Sequence, residues 1–152
     1  MKFNHVCVIP VAREVLWNFL MDVPKVSQCL PGVQEVRAQG GNVYEGTMKM
    51  KMGPVTLNLH GRIHIESQDP EAGRATMSAE ADDKKILGGI RSRMSMVLFP
   101  ESAQGTQFNV ETDVTILGKL GEFGQPFVRK KADAMMQEFA ENVRRQLVVE
   151  GA

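Results

Sequence analysis

Apolar and polar residues alternate with a period of two through most of the chain, from about residue 33 to Gly118. Short turn signals divide this region: Gly40-Gly41-Asn42, Gly53-Pro54, DPEAG at 69–73, Gly88-Gly89 and PESAQG at 100–105. In residues 55–66 one parity is almost entirely aliphatic and the other is polar or charged. Connections this short fit antiparallel hairpins, because parallel strands need long crossovers. The pattern therefore predicts about six consecutive antiparallel strands with one apolar face.

Helical periodicity flanks the strand region on both sides. From about Pro126 to Val149 apolar residues recur every three or four positions, which predicts one amphipathic helix on the order of 36 Å long. A strand at residues 3–9 and a helix from Ala12 to Met21 come first. The apolar stripe of that first helix is predicted to contain Val15, Leu16, Phe19 and Leu20.

The long helix is the only large element available to cover the apolar face of the sheet. We therefore predict an α+β fold in which a curved antiparallel sheet wraps around the C-terminal helix. No repeat or low-complexity segment interrupts the chain, and this predicts a single domain over residues 1–152.

Charge and cysteine content exclude several classes of protein. The 18 basic residues equal the 18 acidic ones, so no overall field attracts nucleic acid. Cys7 and Cys29 are too few for a disulfide framework or a zinc site. There is no signal-peptide pattern at the N-terminus, and no window approaches the ~20 apolar residues of a membrane span. The composition predicts a soluble, cytoplasmic protein that does not bind nucleic acid.

The parity that faces the long helix is rich in methionine and in small residues. Its predicted ligand-binding members are Tyr44, Met48, Met50, Met77, Met94, Met96, Phe108, Met135, Met136 and Phe139. Small residues such as Gly61 and Ala79 leave space, and thioethers adapt to what fills that space. These residues predict a cavity for an apolar ligand, and the alternative is an ordinary interdigitated core.

The predicted inner face lacks groups for acid–base or metal chemistry, because the charged residues fall on the other parity. We therefore predict no catalytic residue, metal site or cofactor, and interpret the face as a binding surface. His5, which shares a parity with Cys7, is the best candidate for a titrating group. Cys29 comes next, in a loop where its thiol is expected to be partly exposed. Buried structural roles are the alternative for all three.

A basic run, Arg129-Lys130-Lys131, opens the long helix, where positive charge opposes the helix dipole. Two interpretations remain for this run. It is either a docking patch for an acidic partner or anionic headgroups, or a solvated face.

The segments LMDVPKVSQCLPGVQEV, YEGTMKMKMGPVTLNLHGRI and LGKLGEFGQPFVRKKADAMMQEFAENV are similar to the G-subunit family of carbon monoxide dehydrogenase. That family lies within the START-like (SRPBCC) superfamily, and the resemblance covers essentially the whole chain. It implies a helix-grip (START/Bet v 1-like) fold with a hydrophobic tunnel between sheet and helix. Members are encoded beside molybdenum-containing CO dehydrogenases, which they help to recruit to the membrane or serve by carrying a hydrophobic molecule such as a quinone.

The sequence thus favours a non-enzymatic protein that binds a quinone- or lipid-like molecule for a molybdenum-containing dehydrogenase. Its expected location is cytoplasmic, with peripheral contact at the inner face of the membrane. Some family members carry a C-terminal membrane segment; this sequence ends at Ala152, so ligand carriage is expected rather than anchoring. One alternative is a small cyclase or aromatase that uses His5 or Cys29. The other is an assembly factor that acts through its surface and has a filled cavity.

Overall fold

The computed structural model describes residues 1–151, with side chains for residues 1–148. The strands in this part of the chain are β1 (Lys2–Ile9), β2 (Val33–Gly40), β3 (Val43–Met52), β4 (Val55–Asp69), β5 (Arg74–Asp83), β6 (Gly88–Leu98) and β7 (Thr106–Gly118). The helices are α1 (Arg13–Met21), α2 (Val23–Val26) and α3 (Gln125–Gly151), and 3₁₀ turns occupy Ser27–Cys29 and Lys119–Phe123.

The strands form one antiparallel sheet in the order β1-β7-β6-β5-β4-β3-β2. Strands β2 to β7 are a meander, in which each strand pairs with the next through a short turn. Strand β1 pairs with β7 and forms one edge of the sheet. The predicted run of six antiparallel strands and the predicted helix-grip fold are confirmed: a curved sheet faces a long C-terminal helix.

The register of the sheet aligns the inward residues of neighbouring strands. Met77 pairs with Ile65 on one side and with Met94 on the other, while Met96 pairs with both Ala75 and Val110. Because side chains alternate across a strand, one correctly placed pair fixes the facing of its neighbours until the register shifts, as it does in β4 between Ile65 and Ser67. The predicted separation of charged and apolar parities across β3 to β7 follows from this register.

Helix α1 packs through the stripe formed by Leu16, Phe19 and Leu20, and Trp17 is buried beside it. Val15 is 48% exposed, so its predicted place in the stripe is wrong. Each residue advances about 100° around a helix, and this turns Val15 away from the direction shared by the other three. The Asp22 carboxylate then accepts a hydrogen bond from the Lys25 N–H, which caps the short helix α2.

Helix α3 lies along the edge strand β1. The Arg129 guanidinium donates to the Lys2 carbonyl oxygen over 3.2 Å and lies 5.2 Å from the centroid of the Phe3 ring. Further along the helix, Arg144 Nε donates to the Val8 carbonyl oxygen over 3.1 Å. These contacts hold α3 against β1. They also give Arg129 a structural role that the helix dipole did not predict, while Lys130 remains exposed.

The buried apolar residues form two clusters. The larger one joins α1, β1, β5 to β7 and the second half of α3, and includes Leu16, Trp17, Leu98, Phe108 and Val143. The smaller one joins the β3–β4 turn region to the 3₁₀ turn before α3, and consists of Met52, Leu57, Leu59 and Leu120. Empty space remains between the sheet and the helices that cover it.

Candidate ligand-binding site

One cavity lies between the sheet, α1, α2 and α3, and we call it the inner lobe. Its volume is about 150 Å³. It is lined by Leu20, Met21, Val23, Val26, Ser27, Leu30, Ile63, Ile65, Ala75, Thr76, Met77, Met94, Met96, Phe108, Val110, Met136 and Phe139. None of these side chains is ionisable, so the inner lobe is a purely uncharged space.

A second cavity, the outer lobe, lies over β2 to β6 and has a volume of about 200 Å³. Its apolar and small residues include Val33, Val36, Tyr44, Gly46, Met48, Met50, Leu59, Gly61, Ala79, Ala81, Ile90 and Ser92. Ser27, Leu30 and Ile63 line both lobes, so the two spaces are adjacent and these three residues stand between them.

The structure brings nine of the ten sequence-predicted residues to these two lobes. Tyr44, Met48 and Met50 line the outer lobe. The inner lobe receives Met77, Met94, Met96, Phe108, Met136 and Phe139. That these residues bind a ligand stays a prediction.

Met135 lines neither lobe, although it was predicted to do so together with Met136. Met136 and Phe139 are three positions apart and share one face of α3. Met135 is turned about 100° from Met136 and leaves that face.

One wall of the inner lobe was not predicted. It is formed by residues of α1, α2 and the following loop: Leu20, Met21, Val23, Val26 and Leu30. The signal available in the sequence was the run of apolar residues that continues beyond Pro24. The direction in which these side chains point depends on how the short helices fold back over the sheet. Local periodicity does not reveal that packing.

The three methionines of β3 have different surroundings. Met48 and Met50 are half-buried and line the outer lobe. Met52 is 6% exposed and packs in the core cluster with Leu57 and Leu120. The same alternation therefore supplies both a cavity wall and a piece of ordinary core.

The two hydroxyl groups of the inner lobe are already hydrogen-bonded within the protein. Ser27 Oγ donates to the Pro24 carbonyl oxygen over 3.1 Å. Thr76 Oγ1 lies 2.6 Å from Ser67 Oγ. A ligand in the inner lobe would thus meet hydrocarbon and sulfur surfaces in place of unused donors.

Charged residues border the outer lobe but belong to the outward parity of their strands. Glu45, Arg62 and Glu80 are register partners on β3, β4 and β5. Arg62 Nη2 donates to Glu45 Oε1 over 2.8 Å, and this hydrogen bond raises the pKa of the Arg62 guanidinium. The border of the outer lobe is therefore a row of paired charges in contact with water.

His5 and Cys29, the candidate catalytic residues, line neither lobe. His5 Nε2 lies 2.8 Å from Asp133 Oδ1 on α3. Cys29 is 4% exposed, so the expectation of a partly exposed thiol is wrong. Its 3₁₀ turn is held under α3, because Asn142 Nδ2 donates to the Cys29 carbonyl oxygen over 2.9 Å.

Burial also alters the chemistry of the two thiols. It raises the pKa of Cys29, and it raises the pKa of Cys7 against the opposing effect of Arg144. Both groups are thus weaker nucleophiles at neutral pH than an ordinary cysteine.

Two further properties bear on what the site can do. Within the part of the chain that the structure describes, no three His, Cys, Asp or Glu side chains come together as a metal site. No helix there combines the length and hydrophobicity needed to cross a bilayer.

The family model for the G-subunit of carbon monoxide dehydrogenase (CoxG) matches residues 7–148. No curated protein matches the sequence.

Several solved structures are similar over nearly the whole chain. A conserved protein from Geobacillus kaustophilus is 17% identical with a TM-score of 0.88, and the match covers 97% of this chain and 95% of that one. A START superfamily protein from Mycobacterium smegmatis is 10% identical with a TM-score of 0.72 and 96% coverage of both chains. The Zhui aromatase/cyclase from Streptomyces sp. R1128 is 16% identical with a TM-score of 0.62, covering 95% of this chain and 94% of that one. At these identities the likeness shows a shared fold and nothing about activity.

Proposed function

The chain belongs to the CoxG family, the G-subunit family of carbon monoxide dehydrogenase, and we propose that it is a non-enzymatic accessory protein of a molybdenum-containing dehydrogenase. In this proposal the whole chain works as one ligand-binding domain that carries a quinone- or lipid-like molecule. Family and fold support a protein that binds hydrophobic ligands. The identity of the ligand and the link to the dehydrogenase are our proposal.

The inner lobe is the observation that carries the proposal. Seventeen residues line it without an ionisable side chain, and its two hydroxyls have partners inside the protein. Burying a methylene group in such a space contributes about 0.8 kcal/mol, while a charged or unpaired polar group would lose its hydration without compensation. The lining thus selects for hydrocarbon.

The arrangement of titratable groups supports carriage over catalysis. A general acid or base must lie within hydrogen-bond reach of the reacting atoms. His5 pairs with Asp133 outside both linings, and the Cys29 thiol is buried with a raised pKa. The inner lobe has no titratable residue, and the charged residues at the outer lobe, Glu35, Glu45, Arg62 and Glu80, lie on the outward parity of their strands. The similarity to an aromatase/cyclase extends to the fold alone and gives none of them a catalytic role.

We place the protein in the cytoplasm, where it would meet apolar molecules at the inner face of the membrane. A carrier needs only peripheral contact there to exchange its ligand. Lys130, exposed near the start of α3, is one cation available for such contact.

Extraction and rebinding test the ligand. Mass spectrometry of an organic extract of the natively purified protein should detect a quinone or lipid, and the extracted protein should bind ubiquinone-1. Met136→Lys should abolish this binding, because it places an unpaired charge in the inner lobe. Met135→Lys, one position along α3 and outside both lobes, is the matched control and should bind normally. An empty extract together with no binding of ubiquinone-1 would remove the carrier function.

Co-purification tests the partner separately. An affinity-tagged chain expressed in its native host should recover a molybdenum-containing enzyme, identified by metal analysis and peptide sequencing. If the chain binds ubiquinone-1 but recovers no such enzyme, the carrier function stands and the accessory role does not.

A further inference from the structure

The geometry points to a single elongated ligand that occupies both lobes, and we propose that Leu30 and Ile63 form a neck that selects it by length. The hydrocarbon end of the ligand lies in the inner lobe. Its polar end lies in the outer lobe, against the Tyr44 hydroxyl. This inference rests on the proposed function and defines the shape and orientation of what is carried.

The volumes argue for one ligand across both spaces. Ligand pockets typically measure ~300–1,000 Å³. The inner lobe, at about 150 Å³, and the outer lobe, at about 200 Å³, each fall below that range. Together, at roughly 350 Å³, they enter it. A molecule confined to one lobe would be little larger than a single ring system.

The backbone on both sides of the neck is fixed. The Leu30 N–H donates to the Ser27 carbonyl oxygen over 3.0 Å, and the Lys49 N–H on β3 donates to the Gly32 carbonyl oxygen over 2.9 Å. Gly32 has φ +90° and lies so close to the Lys49 backbone that a Cβ would collide with it. Opposite, Ile63 is held in the sheet between its register partners Tyr44 and Ala79.

The neck side chains, in contrast, can adjust. Leu30 and Ile63 are aliphatic and only half-buried. The third shared residue, Ser27, is 4% exposed and tied by its hydroxyl to Pro24. Rotation of Leu30 and Ile63 would thus open or narrow the passage while the surrounding backbone keeps its position. A bulkier side chain at residue 63 should narrow it permanently.

The hydrogen bonds assign the orientation. Both hydroxyls of the inner lobe are already engaged, so that lobe suits the hydrocarbon end. In the described part of the chain, the Tyr44 hydroxyl has no hydrogen-bond partner, and Tyr44 pairs directly with Ile63 across β3 and β4. A polar group held by Tyr44 would lie just outside the neck, with the attached chain directed through it.

The test compares two quinones with one head group. Menadione is a naphthoquinone with a methyl substituent, and menaquinone-2 adds a chain of two isoprene units. Affinities are measured by calorimetry on extracted protein. The wild-type protein should bind menaquinone-2 more than tenfold tighter than menadione, because the isoprene chain of menaquinone-2 buries several additional methylene-sized groups. Ile63→Phe should remove most of this difference, because it should weaken the affinity for menaquinone-2 far more than the affinity for menadione. Ile63→Ala should keep the preference.

Further variants control for folding and for orientation. Ile116→Phe makes the same change at a half-buried inward residue that lines neither lobe, and should bind both probes as wild type does. Tyr44→Phe should lower the affinities for both probes by a similar factor of about two to ten, because each probe loses one neutral hydrogen bond. This last result holds even if Ile63→Phe fails to fold.

The outcomes separate the inference from the proposed function. Equal wild-type affinities for the two probes would overturn the two-lobed ligand while leaving a hydrophobic carrier intact. The two-lobed ligand would also be overturned if Ile63→Phe lowered the affinities for both probes equally, or if Tyr44→Phe left both affinities unchanged. If the wild-type protein bound neither probe and ubiquinone-1 also failed to bind, both proposals would fall.

Discussion

The Nε2 atom of His5 lies 2.8 Å from the Oδ1 atom of Asp133 and joins the edge strand β1 to the long helix α3. The His5 side chain is 17% exposed and that of Asp133 is 66% exposed, so the pair sits at the boundary between interior and water. His5 Nδ1 is buried, and the described residues provide no hydrogen-bond partner for it. This pair lies outside both lobes, so we interpret it as a structural contact that holds α3 against β1, which we call the latch, and not as a catalytic dyad.

We expect a small coupling energy between His5 and Asp133. Partly exposed polar pairs typically contribute about 0.2–1 kcal/mol, because water competes for both partners. A double-mutant cycle with His5→Ala and Asp133→Ala, followed by urea unfolding at pH 7, measures the coupling directly. Ubiquinone-1 affinity should stay unchanged in the single variants. A coupling well above about 2 kcal/mol, or loss of ligand binding in Asp133→Ala, would contradict the latch.

Asp83 should make the protein sensitive to acid. Its carboxylate is buried and accepts hydrogen bonds from the backbone N–H of Asn58 over 2.7 Å and of Lys85 over 2.9 Å. These bonds, led by that from Asn58 and reinforced by that from Ile86, hold its pKa below the usual range, although burial opposes them. The lowered folded-state pKa means that this stabilisation is complete above about pH 4, the unfolded value, and is lost as pH falls through the folded-state pKa.

Asp83→Ala tests this expectation by urea unfolding between pH 2 and pH 7. It should lower the unfolding free energy at pH 7 by about 1–3 kcal/mol, because backbone donors lose their acceptor. The stability should also depend less on pH below 4. Asp82→Ala, at the exposed neighbour that pairs with Arg91, is the control and should change stability by no more than about 0.5 kcal/mol. Identical acid profiles for wild type and Asp83→Ala would show that Asp83 contributes nothing.

Met50 and Met52 should respond differently to the same substitution. Met50→Val removes a flexible wall of the outer lobe and should weaken menaquinone-2 binding several-fold, with little effect on unfolding. Met52→Val leaves a gap in the packed cluster with Leu57 and Leu120, so it should cost about 1 kcal/mol of stability and leave affinity unchanged. Calorimetry and urea unfolding of both variants provide the comparison. If Met50→Val lost stability without losing affinity, Met50 would be ordinary core.

The two cysteines should react slowly in the folded protein. Both thiols are buried and burial raises their pKa, so at pH 7.5 each is protonated and inaccessible. Reaction with DTNB should be at least tenfold slower than in 6 M guanidinium chloride, where both thiols are exposed. The variant Cys29→Ser retains Cys7 as its single cysteine, so comparison with the wild-type protein assigns each reaction rate to one of the two thiols. Rapid modification of Cys29 at neutral pH would restore it as a candidate nucleophile.

The sequence determined the parity of the strands, the long helix and the uncharged inner face. These features are local, because a period of two or of 3.6 is a property of residues that are close in sequence. It can therefore be recognised without knowledge of the tertiary packing. For this reason the fold and nine of the ten residues near the cavities followed from periodicity.

The tertiary structure alone decided which inward residues border empty space. Met50 and Met52 share a parity, and both pack with the cluster that contains Leu120, yet only Met50 lines a lobe, while Met52 is 6% exposed. Met135 and Met136 are separated by the rotation of α3 against the sheet. His5 meets Asp133 across 128 residues of sequence, and α3 similarly covers Cys29. Such contacts depend on how distant elements pack together, and no short-range pattern encodes that packing.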